Sequence, residues 1–400
     1  MGEAVLMALF WLSFGGLLHT YVLYPLLLWI WAKGRKSHTI CYHENDDWPA
    51  VAVLMSAYNE EAVIEEKMER LLALQYPAGK LELFIGSDCS DDRTDRMLEQ
   101  YAAEHRHLHF FPFRKRQGKP GVINQLAAAA AASPKAGPNQ IFIVTDASVM
   151  PEPEAVKHLA KHFKDPRIGL VDGHIQHIGM KREGISQAEN SYISTEAQLK
   201  YWEGLLWGCM MGPFGGLYAL RADFFSPVPD NFLVDDFYIC MRVFEQGGLA
   251  ISDLDAVSYE TVSHEAGEEF RRKSRISAGN FQNLSTFTQL WWPPFGSLRF
   301  AFFSHKALRW LGPFLLLALL LGSGALALLG NIFYERLFFL LSSGMLAAFL
   351  LDVLFRRLGI HFLPLRGARY FLLMNVALLT GFFKFLKGIR SNVWQPTKRV

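Results

Sequence analysis

The chain has 400 residues, of which 51% are hydrophobic and 20% charged, with a formal net charge of +2. This apolar content with so little net charge excludes a disordered chain. The charged fraction excludes a chain wholly embedded in a bilayer, and the near-neutral balance gives no footing for a nucleic-acid partner. Length alone suggests two or three domains of about 150 residues.

Residues Ala4 to Ala32 carry no Asp, Glu, Lys or Arg. As a helix they would cover ~43 Å, more than the ~30 Å hydrocarbon core requires, so the segment can tilt or bend at Pro25. It is too long for the apolar part of a cleaved signal peptide and lacks a charged start. Lys33, Arg35 and Lys36 follow at once, so that end is expected to face the cytoplasm and the N-terminus to face outward.

A soluble stretch comes next, in which apolar runs alternate with amphipathic ones. Val51–Ser56 reads as a strand ending at Ala57-Tyr58-Asn59-Glu60, and Glu61–Leu74 as a helix stopped by Pro77. Leu81–Ser87 reads as a second strand, His107–Phe113 as a third, Gly121–Ala132 as a helix, and Ile141–Thr145 as a buried strand ending at Asp146. This alternation predicts an α/β domain with a mostly parallel sheet covered on both faces. Ligands of such sheets bind at the carboxyl ends of the strands. Polar clusters stand at those ends: Tyr58-Asn59-Glu60, Asp88 to Asp92, Asp146-Ala147-Ser148 and, later, Asp235-Asp236.

Thr288 to Trp310 interleaves aromatics with prolines and cations, as at a membrane interface. Trp310–Gly330 is uncharged over 21 residues, Leu337–Phe355 is interrupted only by Asp352, and Tyr370–Phe383 offers 14 uncharged residues, short for a crossing. The expectation is three spans, with Tyr370–Phe383 interfacial or re-entrant and the basic tail in the cytoplasm. Asp352, four residues before Arg356-Arg357, is expected at the interface. The domains are accordingly 1–36, an N-terminal membrane helix; 37–286, a cytosolic domain; and 287–400, interfacial helices and a C-terminal membrane region.

Cys41, Cys89, Cys209 and Cys240 form no C-x-x-C pair, so four reduced thiols are expected. His264-Glu265 is not a zinc motif, because position 268 is Glu rather than His. Glu196 and Glu203 lie on a predicted helix and read as its solvated face, with an acceptor groove as the sharper alternative.

A site for a nucleotide-diphosphate sugar needs carboxylates to accept from base or ribose, to hold a divalent cation against the pyrophosphate and to deprotonate an acceptor hydroxyl. It also needs cations to offset the leaving diphosphate. Lys119 and the run Arg271-Arg272-Lys273-Ser274-Arg275 supply these.

The pieces AYNE (57–60), SDCSDD (87–92), RQGKPGVIN (116–124), TDAS (145–148), GPFGGLYALR (212–221), VDDF (234–237) and RRKSRISAG (271–279), in this order, resemble the membrane-bound family 2 glycosyltransferases, relatives of cellulose, chitin and hyaluronan synthases. The resemblance implies a GT-A-like, Rossmann-like nucleotide-sugar domain and an inverting glycosyltransferase. It implies that Tyr58, Glu60 and Asp88 contact base and ribose, and that Lys119 and Asn124 flank the nucleotide. Asp146 stands where the family's D-x-D metal motif begins, with Ser148 in place of the second aspartate, so Mg²⁺ or Mn²⁺ is expected at Asp146. Asp236 resembles the general base, Asp235 its acidic neighbour, and Gly215-Gly216 a loop passing close to the sugar. Arg272 and Arg275 match cations near the diphosphate. Processive synthases of this family carry a tryptophan where this chain has Ile276, which offers no face for stacking a sugar.

The expected enzyme therefore moves a sugar, from a UDP-linked donor, to a lipid-linked or oligosaccharide acceptor. Membrane lipid surrounds it, and its catalytic domain lies in the cytoplasm at a bacterial inner membrane. A processive polysaccharide synthase and a non-catalytic nucleotide-sugar-binding membrane protein are the alternatives.

Overall fold

The computed structural model describes residues 2–37, 39–178, 186–261, 266–358, 360 and 362–393; His264 and Glu265 lie outside them. The chain divides into two compact units. One comprises Met1–Trp31, Lys181–Thr195 and His264–Gly388, and the other Ala32–Met180, Glu196–Ser263 and Ile389–Val400.

Helices α1 (Gly2–Leu18) and α2 (Tyr24–Ala32) are joined by a π-helical turn at His19–Leu23. Pro25 has no N–H to give the preceding turn, so the α-ladder is broken there without the helix ending.

The sheet unit takes up β1 (Val51–Ala57), α3 (Ile64–Leu72), β2 (Leu81–Ser87), α4 (Thr94–Glu104), β3 (Leu108–Pro112), α5 (Gly118–Ala131), β4 (Ile141–Asp146), β5 (Val149–Pro151), α6 (Ala155–Ala160) and β6 (Ile168–Ile178). It continues with α7 (Ser186–Trp207, of which the part from Glu196 belongs here), β7 (Leu217–Arg221), α8 (Asp235–Glu245) and β8 (Leu249–Thr261). The strands form one eight-stranded sheet in the order β3-β2-β1-β4-β7-β6-β8-β5.

The sheet is mostly parallel on the side of β3, β2, β1 and β4, as the apolar runs predict. β1 and β2 are buried almost throughout, which suits strands covered on both faces. On α3, Ile64, Lys67, Met68 and Leu71 form the buried stripe. The helix starts later than its periodicity suggests, because the Glu60 carbonyl accepts from the Val63 and Ile64 amides and so closes a turn first. β7 runs antiparallel to β4 with Thr145 opposite Leu217. Gly215-Gly216 is thereby delivered to the carboxyl end of β4.

The helical unit continues with α9 (Ala266–Thr286), α10 (Ser297–Ala301), α11 (Leu308–Trp310), α12 (Gly312–Leu328), α13 (Ile332–Arg357) and α14 (Leu363–Leu386). Helix α9, which the sequence reading assigned to the catalytic domain, groups with the membrane-type helices. Phe10 packs with Leu319, Leu326 and Tyr334, and the Trp11 indole donates to the Tyr334 hydroxyl at 3.1 Å. α9 and α14 approach so closely that a Cβ on Gly381 would stand 2.4 Å from that of Ser277. Trp292 and Phe295 are exposed, as expected of interfacial aromatics.

Among the described residues, three helices are long and apolar enough to cross a membrane: Gly2–Ala32, Ile332–Phe355 and Pro364–Leu386. Two expectations change. The run Trp310–Gly330 is not one straight span, since α12 bends by 62° from Ser297–Trp310 and its 17 residues reach only ~26 Å. Conversely, α14 is no short interfacial piece. It has 24 residues, or ~36 Å, because it continues through Arg366 and Arg369. The Arg369 guanidinium meets Asp352 of α13 at 2.8 Å, with both side chains largely buried. Asp352 thus has a partner at the helix end that carries Arg356 and Arg357.

Candidate active site

The carboxyl ends of β1, β2 and β4 and the start of α8 bring the sheet unit's polar clusters together. Two of the loops contain a non-glycine residue in the left-handed region, Asn59 at φ 51° and Cys89 at φ 61°. Such backbone persists where surrounding bonds over-determine it. Here Asn59 and Asp91 bond reciprocally through side chain and backbone, and the Asn59 amide donates to Ser90 Oγ at 3.1 Å. The loops after β1 and β2 are therefore one bracket.

Asp88, buried at 2% exposure, is held at the end of β2. It accepts from the amides of Gln117 at 2.6 Å and Gly118 at 2.9 Å and from Arg116 Nε at 3.0 Å. The Arg116 guanidinium also lies 3.3 Å from the centre of the Tyr58 ring. Tyr58, Asp88 and the α5 N-terminus thus form one wall. Glu60 is nearly buried, with its amide donating to Thr94 Oγ1 at 2.9 Å.

Opposite charges make the second part. Lys119 Nζ is 2.7 Å from Asp146 Oδ1 and 3.8 Å from Asp235 Oδ2. Burial alone would lower the Lys119 ammonium, but Asp146, Asp235 and Asp236 outweigh it and hold it above the ordinary lysine range. Asp235 and Asp236 open α8, where the helix N-terminus favours negative charge. Burial, and next the charge of Asp235, push the Asp236 carboxyl up to about 6, against the opposing pull of Lys119, the Phe237 amide and Lys200. Gly215 adopts φ +86°, and a Cβ there would stand 2.3 Å from Asp236 Oδ2, so only glycine lets this backbone pass the carboxylate.

Hard oxygen donors are present for a divalent cation: the Asp146 side chain is 40% exposed, and among the described residues Asp235 Oδ2 is buried without a hydrogen-bond partner. A second acidic group, His158, Asp253 and Asp255, has its ligand atoms within 4.8 Å of one another. There Asp253 is already paired with Lys161 at 2.7 Å and His162 at 2.8 Å.

Some residues are used differently from the expectation. Asn124 forms a two-way bracket with the backbone of Val228, donating at 2.8 Å and accepting at 2.9 Å, and so also holds that loop. Glu203 is no solvated residue: it is fully buried and accepts from the Met211 amide at 3.1 Å. Glu196 is buried too. Lys200 joins them, 3.8 Å from Asp172 and 3.4 Å from the centre of the Phe214 ring, while the Phe214 amide donates to Asp172. These charges brace the Gly212–Gly216 loop. Arg272 and Arg275 stand on α9, in the helical unit, and the sheet unit by itself assembles the other candidates.

Two residues escaped the sequence reading. Lys67 is fully buried, and its ammonium donates to Thr145 Oγ1 at 2.8 Å and to the Val149 carbonyl, spanning the turn that carries Asp146. Burial brings it down to about 7, with Asp146 opposing. Its one signal was a lysine in step with Ile64, Met68 and Leu71. Tyr218 of β7 is fully buried, and burial, then the charges of Asp235, Asp236 and Asp146, hold its hydroxyl well above the usual range.

The sequence and the fold are similar to those of known proteins. Residues 52–220 match the family described as glycosyl transferase family 2, and residues 141–352 match glycosyl transferase family group 2. The chain belongs to glycosyl transferase family group 2 and carries candidate membrane helices. It is 32% identical to a beta-monoglucosyldiacylglycerol synthase of Trichormus variabilis over 126 residues, 31% of this chain and 25% of that protein. It is 24% identical to the probable glycosyltransferase YdaM of Bacillus subtilis over 290 residues, 68% of this chain and 66% of that one. The chain thus spans about a quarter of the former and just under two thirds of the latter. A solved structure, the mannosyltransferase PcManGT from Pyrobaculum calidifontis in complex with GDP-Man and Mn²⁺, superposes with a TM-score of 0.70 at 21% identity, covering 96% of this chain and 99% of that one. The shared fold is GT-A-like.

Proposed function

We propose that the chain is an inverting glycosyltransferase that adds one sugar, from a nucleotide-diphosphate donor, to a membrane lipid. The observation that carries this reading is the Asp235-Asp236 pair at the head of α8, with Lys119 and Asp146 beside it and Gly215 against the base. Asp236 takes the proton of the acceptor hydroxyl, which attacks the anomeric carbon directly. Tyr58 and Asp88 seat base and ribose, and Lys119 neutralises the departing diphosphate. Asp146, with Asp235 behind it, would hold a divalent cation, which supplies Lewis-acid stabilisation of the diphosphate when bound.

A lipid acceptor is supported by the name of the glucosyldiacylglycerol synthase relative, and single addition by Ile276 in place of a stacking aromatic. The test is transfer of radiolabelled sugar from a panel of UDP- and GDP-sugars to diacylglycerol in vesicles, with product size read by chromatography. One added sugar is expected. Long polymer would establish the processive reading, and absence of any nucleotide release the non-catalytic one.

We further infer that the sheet unit lies in the cytoplasm, from Lys33, Arg35 and Lys36 after the first helix. The described tail, residues 389–393, groups with that unit, and the Ile389 carbonyl accepts from Asn231, so we infer an even number of crossings between the catalytic residues and the tail. Crossing by α13 and α14, with the bent pair before them re-entrant, satisfies this, and so does crossing by the bent pair and α13. Ser391→Cys is expected to resist a membrane-impermeant thiol reagent on intact cells and to react after permeabilisation. Labelling from outside would overturn the arrangement.

Lys67→Met is expected to lower kcat by about tenfold or more with little change in donor affinity, because the Asp146 turn loses its tie. The loss of two buried hydrogen bonds is expected to destabilise by about 1–3 kcal/mol. Steady-state kinetics and thermal melting measure both; unchanged kcat would leave Lys67 a core residue only.

A further inference from the structure

Outside this site, the sheet unit contains a second chain of reactive side chains. His162, in the 3₁₀ turn after α6, meets Asp253 of β8 through Nε2 at 2.8 Å. Its Nδ1 lies 3.6 Å from the Sγ of Cys41, in the segment between α2 and β1. His162 and Asp253 are buried, at 8% and 7% exposure, while Cys41 is only partly buried. The segment is pinned alongside by the Tyr42 amide, which donates to the Lys161 carbonyl at 2.8 Å.

We propose that Cys41 is a hydroperoxide-reactive thiol, built by the relay Cys41–His162–Asp253. Asp253 fixes the Nε2–H tautomer of His162, which aims Nδ1 at the thiol as a proton acceptor. Nucleophile, base and orienting carboxylate thus stand in hydrogen-bonded sequence. The charges of His162 and Lys161 favour the thiolate. Lys161 lies 2.7 Å from Asp253 and faces His158 at 3.2 Å; the Asp255 amide caps Asp253 Oδ1 at 2.9 Å; and Thr39 Oγ1 is 3.1 Å from Nδ1. The hydrogen bond from His162 brings the Cys41 thiol down against its burial. Burial would lower His162, but Asp253 and Cys41 outweigh it and hold the imidazole up.

The chemistry balances without a further reactant. The thiolate sulfur attacks one oxygen of a hydroperoxide, an S–O bond forms as the O–O bond breaks, and sulfur is oxidised to sulfenic acid. The peroxide is reduced to an alcohol or water, its leaving oxygen taking the proton from imidazolium His162. Cys89 is the internal control: it is equally part-buried, and its thiol faces the Arg114 carbonyl at 3.6 Å. Cys209 and Cys240 are buried, with thiols pushed up.

The test treats the full chain in detergent with dilute hydrogen peroxide and dimedone, and follows the Cys41 and Cys89 peptides by mass spectrometry. Cys41 is expected to be tagged about tenfold faster than Cys89 near neutral pH, and His162→Gln to remove most of that advantage. Equal rates, or an unchanged rate in the variant, would overturn the proposal. The wild-type pH profile of iodoacetamide alkylation needs no variant. Half-maximal rate for Cys41 below the ordinary thiol range of about 8.5 is expected, and a midpoint at that value refutes the relay.

Discussion

Asp236→Asn is expected to lower kcat by about 10²–10⁴ while leaving donor binding intact, as is typical when a general base is lost. Asparagine has the same shape and can still accept the Phe237 amide, which reaches Asp236 Oδ1 at 2.7 Å, so the head of α8 need not move. What is lost is the basic oxygen. The pH profile gives a second reading. Burial and Asp235 push Asp236 up to about 6, and a base works only when deprotonated, so kcat/KM should fall as pH drops through that value. Lys119 opposes the shift, so Lys119→Met should move the acid limb to higher pH. Gly215→Ala should resemble loss of the base, because its Cβ would displace Asp236 Oδ2 and its φ of +86° adds strain of about 1–3 kcal/mol. A thermal-shift titration with donor separates these outcomes from lost binding. If Asp236→Asn transfers at near the parent rate, the proton goes elsewhere.

The parallel half of the sheet was legible because its strands are unbroken apolar runs that end abruptly in Asn, Asp and Ser. The mixed half, in which β7 is antiparallel to both neighbours while β6 and β8 are parallel, was not. β8 carries Asp253 and Asp255 within the strand, a pattern that reads as a loop until Lys161 and His162 arrive from a distant turn to pair Asp253. Asn124 and Asp88 illustrate the same limit from the other side. Both belong to recognisable motifs, yet only the structure distinguishes a carboxylate held by the α5 amides from an amide engaged by Val228. Lys67 was hidden because a lysine on an apolar face is ordinarily discounted. α14 was cut short because Arg366 and Arg369 interrupt its apolar run, whereas the Asp352 contact neutralises Arg369 within the helix pair.

Removal of divalent cations is expected to lower transfer by about 10²–10³, the usual effect of deleting one preorganised stabiliser of developing charge. Asp146→Ala should have a similar cost and should abolish the response to added Mn²⁺. The metal is further expected to bind only with the nucleotide. Position 148 is Ser, nearly buried, so the β4 turn offers one carboxylate rather than two. That carboxylate is already engaged by Lys119 at 2.7 Å. A cation entering alone would meet an ammonium and one partly neutralised oxygen. With a diphosphate present, Lys119 can turn to the phosphates, and Asp146 would then be free to hold the cation together with phosphate oxygens. Mn²⁺ by itself should therefore leave the melting temperature unchanged, nucleoside diphosphate should raise it modestly, and the two together should raise it by more than the sum. Full transfer in excess chelator would remove the metal from the reaction and leave Lys119 as the group that stabilises the departing diphosphate. A shift from Mn²⁺ alone would mean that Asp235 Oδ2, buried and without a hydrogen-bond partner among the described residues, already makes a second ligand.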